Sequence, residues 1–296
     1  MKVAVMGAGA VGCYYGGMLA RAGVPVTLIG RAQHVDAVCA RGLLLEIGAD
    51  RFTVPMDATT EADGVAGADI VLFSVKSGDT EAVGRQIAPH LRPDVTVLNL
   101  QNGVDNADRL RPVVNRTVVP VAVYVATAMV GPGHVVHHGR GELVIGPCEA
   151  GERIVAQFGA AGIPTRVSET PLDALWGKLI VNCAYNALSA LTQLPYGRLL
   201  PMQGVREVMA DVVAECVAVA KASGVNVAPD VLAQVLGLAK TMPGQRSSTA
   251  QDLAAGKPTE IDHLNGLVIR RGAALGIPTP ANRVLHTMVK VAEATR

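Results

Sequence analysis

The feature that most constrains this chain is the set of glycines near its start, Gly7, Gly9 and Gly12, in MKVAVMGAGAVGCYYGGMLARAGVPVTLIGR. Lys2 to Met6 reads as a short buried strand, Val11 to Ala22 as a helix, and Val26 to Ile29 as a second strand. The glycines thus fall where strand passes into helix, which is the context that gives a G-x-G-x-x-G spacing its meaning as a dinucleotide-binding fingerprint. The first glycine permits a tight turn, the second lets backbone approach a pyrophosphate, and the third lets the helix pack close to the sheet. Free N–H groups at the helix start would hold the pyrophosphate charge.

The end of the second strand bears on which dinucleotide. A carboxylate there would accept hydrogen bonds from ribose hydroxyls. This chain instead has Gly30 and then Arg31. With no acid to repel a 2′-phosphate and a guanidinium able to bind one bidentately, the pair points to NADP(H). A surface arginine capping the loop is the alternative reading.

Beyond Arg31 the pattern alternates. Ala32 to Arg41 reads as helix, and Leu43 to Ile47 and Phe52 to Pro55 as short strands. Asp69 to Val75 is a strongly apolar strand, followed by a helix around Glu81 to Leu91 and the strand Val95 to Leu100. Alternation of this kind implies a parallel, doubly wound sheet. Ligands lie at the carboxyl ends of strands in such sheets, where Lys76 and the Gln101-Asn102-Gly103 turn fall. They are candidates for the nicotinamide side of the cofactor and for the substrate, although Asn102-Gly103 also suits a simple tight turn. Val118 to Val130, His134 to His138 and Glu142 to Gly146 read as strands. His137 and His138 would face opposite sides, and with no Cys or carboxylate cluster nearby the histidines read as solvated rather than metal-binding. Ile154 to Ala161 reads as helix and Pro164 to Val167 as a last strand.

After Pro171 the periodicity changes to 3.6 residues, from Leu172 to Leu191, Val205 to Ser223, Asp230 to Lys240, Ile261 to Leu275 and Ala281 to the end. The expected organisation is α/β: a Rossmann-type doubly wound domain over 1–169 that binds NADP, then an all-helical substrate and catalytic domain over 170–296. A length of 296 residues suits two domains. Half the residues are hydrophobic but only 3% aromatic, so Val, Leu, Ile, Ala and Met must build the cores. A net charge of +1 gives no reason to expect nucleic acid or a membrane surface. Five cysteines without a C-x-x-C pair read as reduced thiols of a cytoplasmic protein. No uncharged apolar run reaches transmembrane length.

Two clusters in the helical part could carry chemistry. Lys178, Asn182 and Asn186 fall at i, i+4 and i+8 and share one face of an otherwise apolar helix. Buried polar groups need partners, which a polar ligand would supply. A solvated stripe is the alternative, though exposed faces favour Glu, Lys and Arg over Asn. The second cluster is Thr259, Glu260, Asp262 and Asn265. A capping box between Thr259 and Asp262 would explain two of the four and leave Glu260 and Asn265 over.

Taken with Gly7-x-Gly9-x-x-Gly12, Arg31, Lys76 and Asn102-Gly103, the run Leu175-Trp176-x-Lys178-x-x-x-Asn182-Cys183-x-x-Asn186, the segment Ser247-Ser248-x-x-Gln251-Asp252 and the segment Thr259-Glu260-Ile261-Asp262-x-x-Asn265-Gly266 resemble the ketopantoate reductase (2-dehydropantoate 2-reductase) family over almost the whole chain. The resemblance implies NADPH-dependent reduction of 2-dehydropantoate to (R)-pantoate in pantothenate and coenzyme A biosynthesis. It also implies a C-terminal domain like that of 6-phosphogluconate dehydrogenase. Lys178 would be the general acid, and Glu260 the second catalytic-site carboxylate, binding the substrate hydroxyl. Asn102, Lys178, Asn182, Asn186, Ser248 and Glu260 would hold the substrate. The loop Gly7, Ala8, Gly9, Ala10, Val11 and Gly12, with Arg31, Lys76 and Asn102, would contact NADPH, and no metal is implied. Gln101 departs from relatives that carry His there, without an expected change in chemistry.

An ammonium is a suitable group for this reaction, because hydride arriving at a ketone carbon leaves negative charge on oxygen. Two other readings stay open. One is a reductase of the same architecture acting on another branched 2-oxoacid. The other is a non-catalytic NADPH-binding regulator, which would need neither Lys178 nor Glu260. The expected partner is a small-molecule oxoacid, with the apolar helical domain able to form a homodimer.

Overall fold

A computed structural model describes residues 1–295 and divides the chain into two compact units, Met1–Pro171 and the remainder from Leu172 onward.

The first unit is built on strands β1 (Val3–Met6), β2 (Val26–Ile29), β3 (Leu43–Ile47), β4 (Asp50–Val54), β5 (Asp57–Thr59), β6 (Ile70–Phe73), β7 (Thr96–Asn99), β8 (Thr117–Gly131), β9 (His134–Ile145) and β10 (Thr165–Val167). Helices α1 (Ala10–Arg21), α2 (Ala32–Arg41), α3 (Thr80–Ile87), α4 (Asn106–Val114) and α5 (Gly151–Ala160) connect them. The strand order is β4-β3-β9-β8-β7-β6-β1-β2-β5, with β10 beside β9. From β5 to the first residues of β8 every pairing is parallel. Parallel strands need crossovers, and the crossovers here are helical where the 3.6-period segments sit.

Alternation along these strands decides where the helices go. Val3, Val5, Ile70, Leu72 and Leu98 face one way and pack with Tyr15 and Leu19 of α1 and Ile154 and Phe158 of α5. Ala4, Met6, Val71, Phe73 and Val97 face the other way and pack with Ile87 of α3 and Leu110 and Val114 of α4. A strand buried on both faces reads as a continuous apolar run, as Ile70-Val-Leu-Phe73 does.

β8 is long because it serves two partners. Thr117–Pro120 pairs with β7 in parallel, and from Val121 onward the strand pairs antiparallel with β9, through three register irregularities. The segments expected at His134 to His138 and Glu142 to Gly146 are therefore one strand. The expectation of solvated histidines is corrected for two of them. His134 Nε2 lies 2.9 Å from Glu46 Oε1, and the half-buried His137 ring stacks on Tyr14 at 4.6 Å. His138 is exposed.

The second unit contains α6 (Pro171–Thr192), α7 (Tyr196–Leu199), α8 (Val205–Ala222), α9 (Val231–Thr241), α10 (Ser248–Ala254), α11 (Asn265–Leu275) and α12 (Pro280–Ala294). Among the described residues it holds no strand. The continuous helix expected from Ile261 is broken: Ile261–His263 forms a 3-10 turn, and Leu264 takes φ −110°, ψ −103° before α11 begins. The anticipated capping box is also absent, because the Asp262 carboxylate is bound by His286 and Lys290.

The turn that joins β1 to α1 leaves no room for a side chain at Gly7 or Gly12. Gly7 has φ +118°, where a side chain is strained, and a Cβ there would come within 2.8 Å of the Ser74 backbone. A Cβ on Gly12 would overlap the Gly7 carbonyl oxygen and lie 2.5 Å from Ser74 Oγ. Gly9, by contrast, is exposed and extended, with nothing within 4 Å of an added Cβ. Gly12→Ala should therefore cost about 1–3 kcal/mol of overpacking in a urea melt, whereas Gly9→Ala should leave the melt almost unchanged. Equal losses in the two variants would contradict this picture of the turn.

Candidate active site

Four loops of the first unit leave the same edge of the parallel strands. Gly7 follows β1, Gly30 follows β2, Ser74 to Lys76 follow β6, and Leu100 to Asn102 follow β7. Gly7 N–H donates to Ile29 O at 2.9 Å and Ser74 N–H to Met6 O at 2.8 Å, so the loops leave in register. Ser74 Oγ donates to Gly7 O at 3.0 Å and closes the glycine turn from beside β6. Sequence reasoning passed over Ser74. It also gave Gly30 no structural role, yet a Cβ there would overlap that of Ala8. Gly9 is the N-cap of α1, and no side chain caps that helix or places an acid in its first turn. Its first N–H groups are left for an external acceptor. Arg31 is exposed at the start of α2, and its guanidinium has no hydrogen bond or ion pair among the described residues.

Lys76 and Asn102 sit above a buried polar web that the sequence did not reveal. Asn106 Nδ2 donates to Asn102 O at 2.5 Å and to Ser77 Oγ at 3.1 Å. Ser77 Oγ itself donates to Asn102 O at 3.2 Å. Gln101 is 5% exposed. Its Nε2 donates to Val75 O at 3.0 Å, Lys76 O at 3.3 Å and Thr80 Oγ1 at 2.8 Å. Asn99 Nδ2 donates to Gln101 Oε1 at 2.6 Å. The Gln101 amide thus splices the loop after β6 to the loop after β7. Arg109 completes the web, bonding both Glu81 oxygens at 2.7 Å, Asn106 Oδ1 at 2.9 Å and Ser77 O at 3.1 Å. The Arg109 hydrogen bonds hold the Glu81 carboxyl below its ordinary value.

In the second unit, α6 carries Lys178 and Asn182, both half-buried, and Asn186, which is 2% exposed. The side chains of Asn182 and Asn186 make no hydrogen bond among the described residues. Two segments are tied to this helix. Ser247 Oγ donates to Asn186 O at 3.2 Å and accepts from Ala250 N–H at 3.0 Å, capping α10. This holds Ser248, the exposed first residue of α10, near the end of the asparagine stripe. Asn265 Nδ2 donates to Cys183 O at 3.2 Å and to Asn282 Oδ1 at 3.0 Å, which accounts for a residue that capping could not. Two segments singled out from sequence therefore meet a third, on α6. Glu260 lies in the bend just before the Ile261–His263 turn.

Comparison with known proteins gives the family and the fold. Residues 3–150 match the model of the family described as Ketopantoate reductase PanE/ApbA, and residues 172–293 match that of its C-terminal domain. The chain belongs to the ketopantoate reductase family. It is 35% identical to a 2-dehydropantoate 2-reductase of Halobacterium salinarum, with 99% of each chain covered. Its fold matches the crystal structure of a PanE/ApbA family ketopantoate reductase from Ralstonia eutropha JMP134 with a TM-score of 0.97 and 58% identity, over 100% of this chain and 99% of that one. It is also similar to D-mandelate dehydrogenase in a ternary structure with NADH and anilino(oxo)acetate, with a TM-score of 0.93 and 25% identity over 100% and 99% of the two chains.

The web under Asn102 yields a test with a defined pH dependence. Arg109→Met should lower stability at neutral pH by roughly 1 kcal/mol, a value reduced by solvent screening at the partly exposed Glu81. The Glu81 carboxyl is depressed in the folded state, so its contribution is present above the unfolded-state carboxyl pKa and is lost as pH falls through the folded-state value. The gap between wild type and variant in urea melts should narrow in acid. A gap that stays constant there would assign Arg109 a packing role only.

Proposed function

We propose that this chain is an NADPH-dependent reductase that converts 2-dehydropantoate to (R)-pantoate. The observation that carries the reading is the stripe on α6: a lysine and two asparagines on one face, the asparagine side chains buried or half-buried without a hydrogen-bonding partner among the described residues. Leaving such groups unpaired costs free energy, which a bound polar ligand would offset.

The first unit suits a dinucleotide. The glycine turn, with open space over Gly9 and an uncapped α1, would hold the pyrophosphate by backbone N–H groups. Arg31 would bind a 2′-phosphate with charge-assisted hydrogen bonds. Lys76 and Asn102 would hold the remainder, on loops that Gln101 and Asn106 fix. When bound, NADPH supplies the hydride. The chain supplies everything else. Lys178 places an ammonium at the ketone oxygen, stabilises the charge that develops there and donates the proton that makes the alcohol. Asn182, Asn186 and Ser248 orient the oxoacid by hydrogen bonds. Glu260 accepts a hydrogen bond from the hydroxyl at C4 of the substrate.

The likeness to D-mandelate dehydrogenase favours a second reading, reduction of another 2-oxoacid. The C4 hydroxyl separates the two, because a site built to bond a hydroxyl rejects the analogue without it.

Lys178→Ala should lower kcat by about a hundredfold or more, while calorimetry shows NADPH binding unchanged. Near-normal kcat in a folded variant would remove Lys178 from the mechanism. Arg31→Ala should raise KM for NADPH and leave the use of NADH nearly as it was. Equal weakening toward the two cofactors would make Arg31 a structural residue.

A further inference from the structure

Glu260 stands in a bend outside any α-helix or strand, and its carbonyl accepts from His263 N–H at 2.9 Å. Side chains of α12 bond the chain on either side of it. On the preceding side, Thr259 N–H donates to Glu293 Oε1 at 2.8 Å, and Thr259 Oγ1 accepts from Ile261 N–H at 3.3 Å. On the following side, the Asp262 carboxylate is bound by His286 Nε2 at 2.7 Å and Lys290 Nζ at 3.0 Å. Lys290 Nζ also lies 2.8 Å from Glu293 Oε2. One ammonium therefore joins Glu293, which holds the chain before Glu260, to Asp262, which lies in the chain after it. Arg270 Nη1 adds a bond to Asp262 O at 2.9 Å.

His286, Lys290 and Glu293 fall at i, i+4 and i+7, one face of α12. Burial pushes the Glu293 carboxyl up, but its bonds to Lys290 and Thr259 outweigh that and hold it below its usual value. Exposed ion pairs add little to stability. Here, though, the pairs converge on one short irregular segment, and that segment carries a carboxylate whose work depends on position. Displacement of a reacting or recognising group by about 1 Å can cost a hundredfold.

We propose that Lys290 is a positioning residue for substrate specificity: by bridging Asp262 and Glu293 it fixes the segment that presents Glu260, and so sets the preference for a 2-oxoacid with a C4 hydroxyl. The inference rests on Glu260 binding that hydroxyl.

The test measures kcat/KM for ketopantoate and for 2-oxoisovalerate, which lacks the hydroxyl, in wild type, Lys290→Met, Lys290→Arg, Glu260→Ala and the double variant Glu260→Ala/Lys290→Met. Lys290→Met should shrink the preference about tenfold or more, mainly through KM for ketopantoate, with the thermal midpoint close to wild type. Lys290→Arg should restore most of it. In the Glu260→Ala background Lys290→Met should leave the preference unchanged, since the group through which it acts is gone. Equal loss on both substrates, or a further loss of preference in the double variant, overturns the inference. If Glu260→Ala erases the preference while Lys290→Met keeps it, the inference fails alone. If wild type has no preference, or Glu260→Ala retains it in full, the reading of Glu260 fails and takes this inference with it. Should Lys290→Met not fold, Glu293→Gln removes the same bridge at constant shape and is held to the same outcomes.

Discussion

The passage of α1 across the end of β1 depends on the absence of two side chains. At Gly12 a Cβ would overlap the Gly7 carbonyl, and at Gly7 a Cβ would press on the Ser74 backbone. Because both are missing, the helix starts directly over the sheet, buries Tyr15 and Leu19 in the core, and turns its uncapped end outward beside Gly9. Ser74 Oγ closes the turn from the neighbouring strand. Gly30 extends the same economy of space one strand further, under Ala8. These contacts fix the edge at which all the candidate cofactor residues emerge, and the remainder of the first unit is an arrangement of strands and helices that keeps that edge in register.

The second unit solves a different problem: how to keep polar residues inside a helical core. Glu215 of α8 accepts from Ala281 N–H at 2.8 Å and Asn282 N–H at 3.0 Å, and from Asn282 Nδ2 at 2.7 Å. A carboxylate at a helix start is favourable, so this also caps α12. Asn282 then accepts from Asn265, and Asn265 donates to the Cys183 carbonyl. The chain of bonds runs from α8 through α12 and α11 to α6. It holds the helix that carries Lys178, Asn182 and Asn186 against the start of α11, which follows the Glu260 segment; Ser247 Oγ, bonded to Asn186 O, ties the Ser248 segment separately. Buried networks of this kind rigidify when satisfied. In this one the Asn265 Oδ1 acceptor has no partner among the described residues.

The parallel sheet was legible in sequence because its strands are continuous apolar runs between helices of clear period, as at Ile70–Phe73. α4 was not, since its core face is only Ala107, Leu110 and Val114 among Asn, Asp, Arg and an internal Pro112. α10 offers only Thr249, Ala250 and Leu253 to the core, too few to show a period. The ties from α12 to the Glu260 segment involve residues more than twenty positions away, which local pattern cannot register. The glycine turn, Arg31 and the α6 stripe were visible because each is a local departure from what a plain α/β or helical sequence would carry. Ser74, Gln101, Asn106 and Arg109 were not visible as a group, because their meaning lies in the carbonyls they bind. Gln101 is the instructive case: as a departure from relatives it looked neutral, and in the fold it links two loops.

The central claim is that these residues together reduce the ketone of 2-dehydropantoate. The most direct measurement is turnover of that compound by the purified protein with NADPH, with the product resolved by chiral chromatography. The account predicts (R)-pantoate formed in equal amount to the NADPH consumed. NADPH that is bound but not consumed, with no pantoate formed, would contradict it.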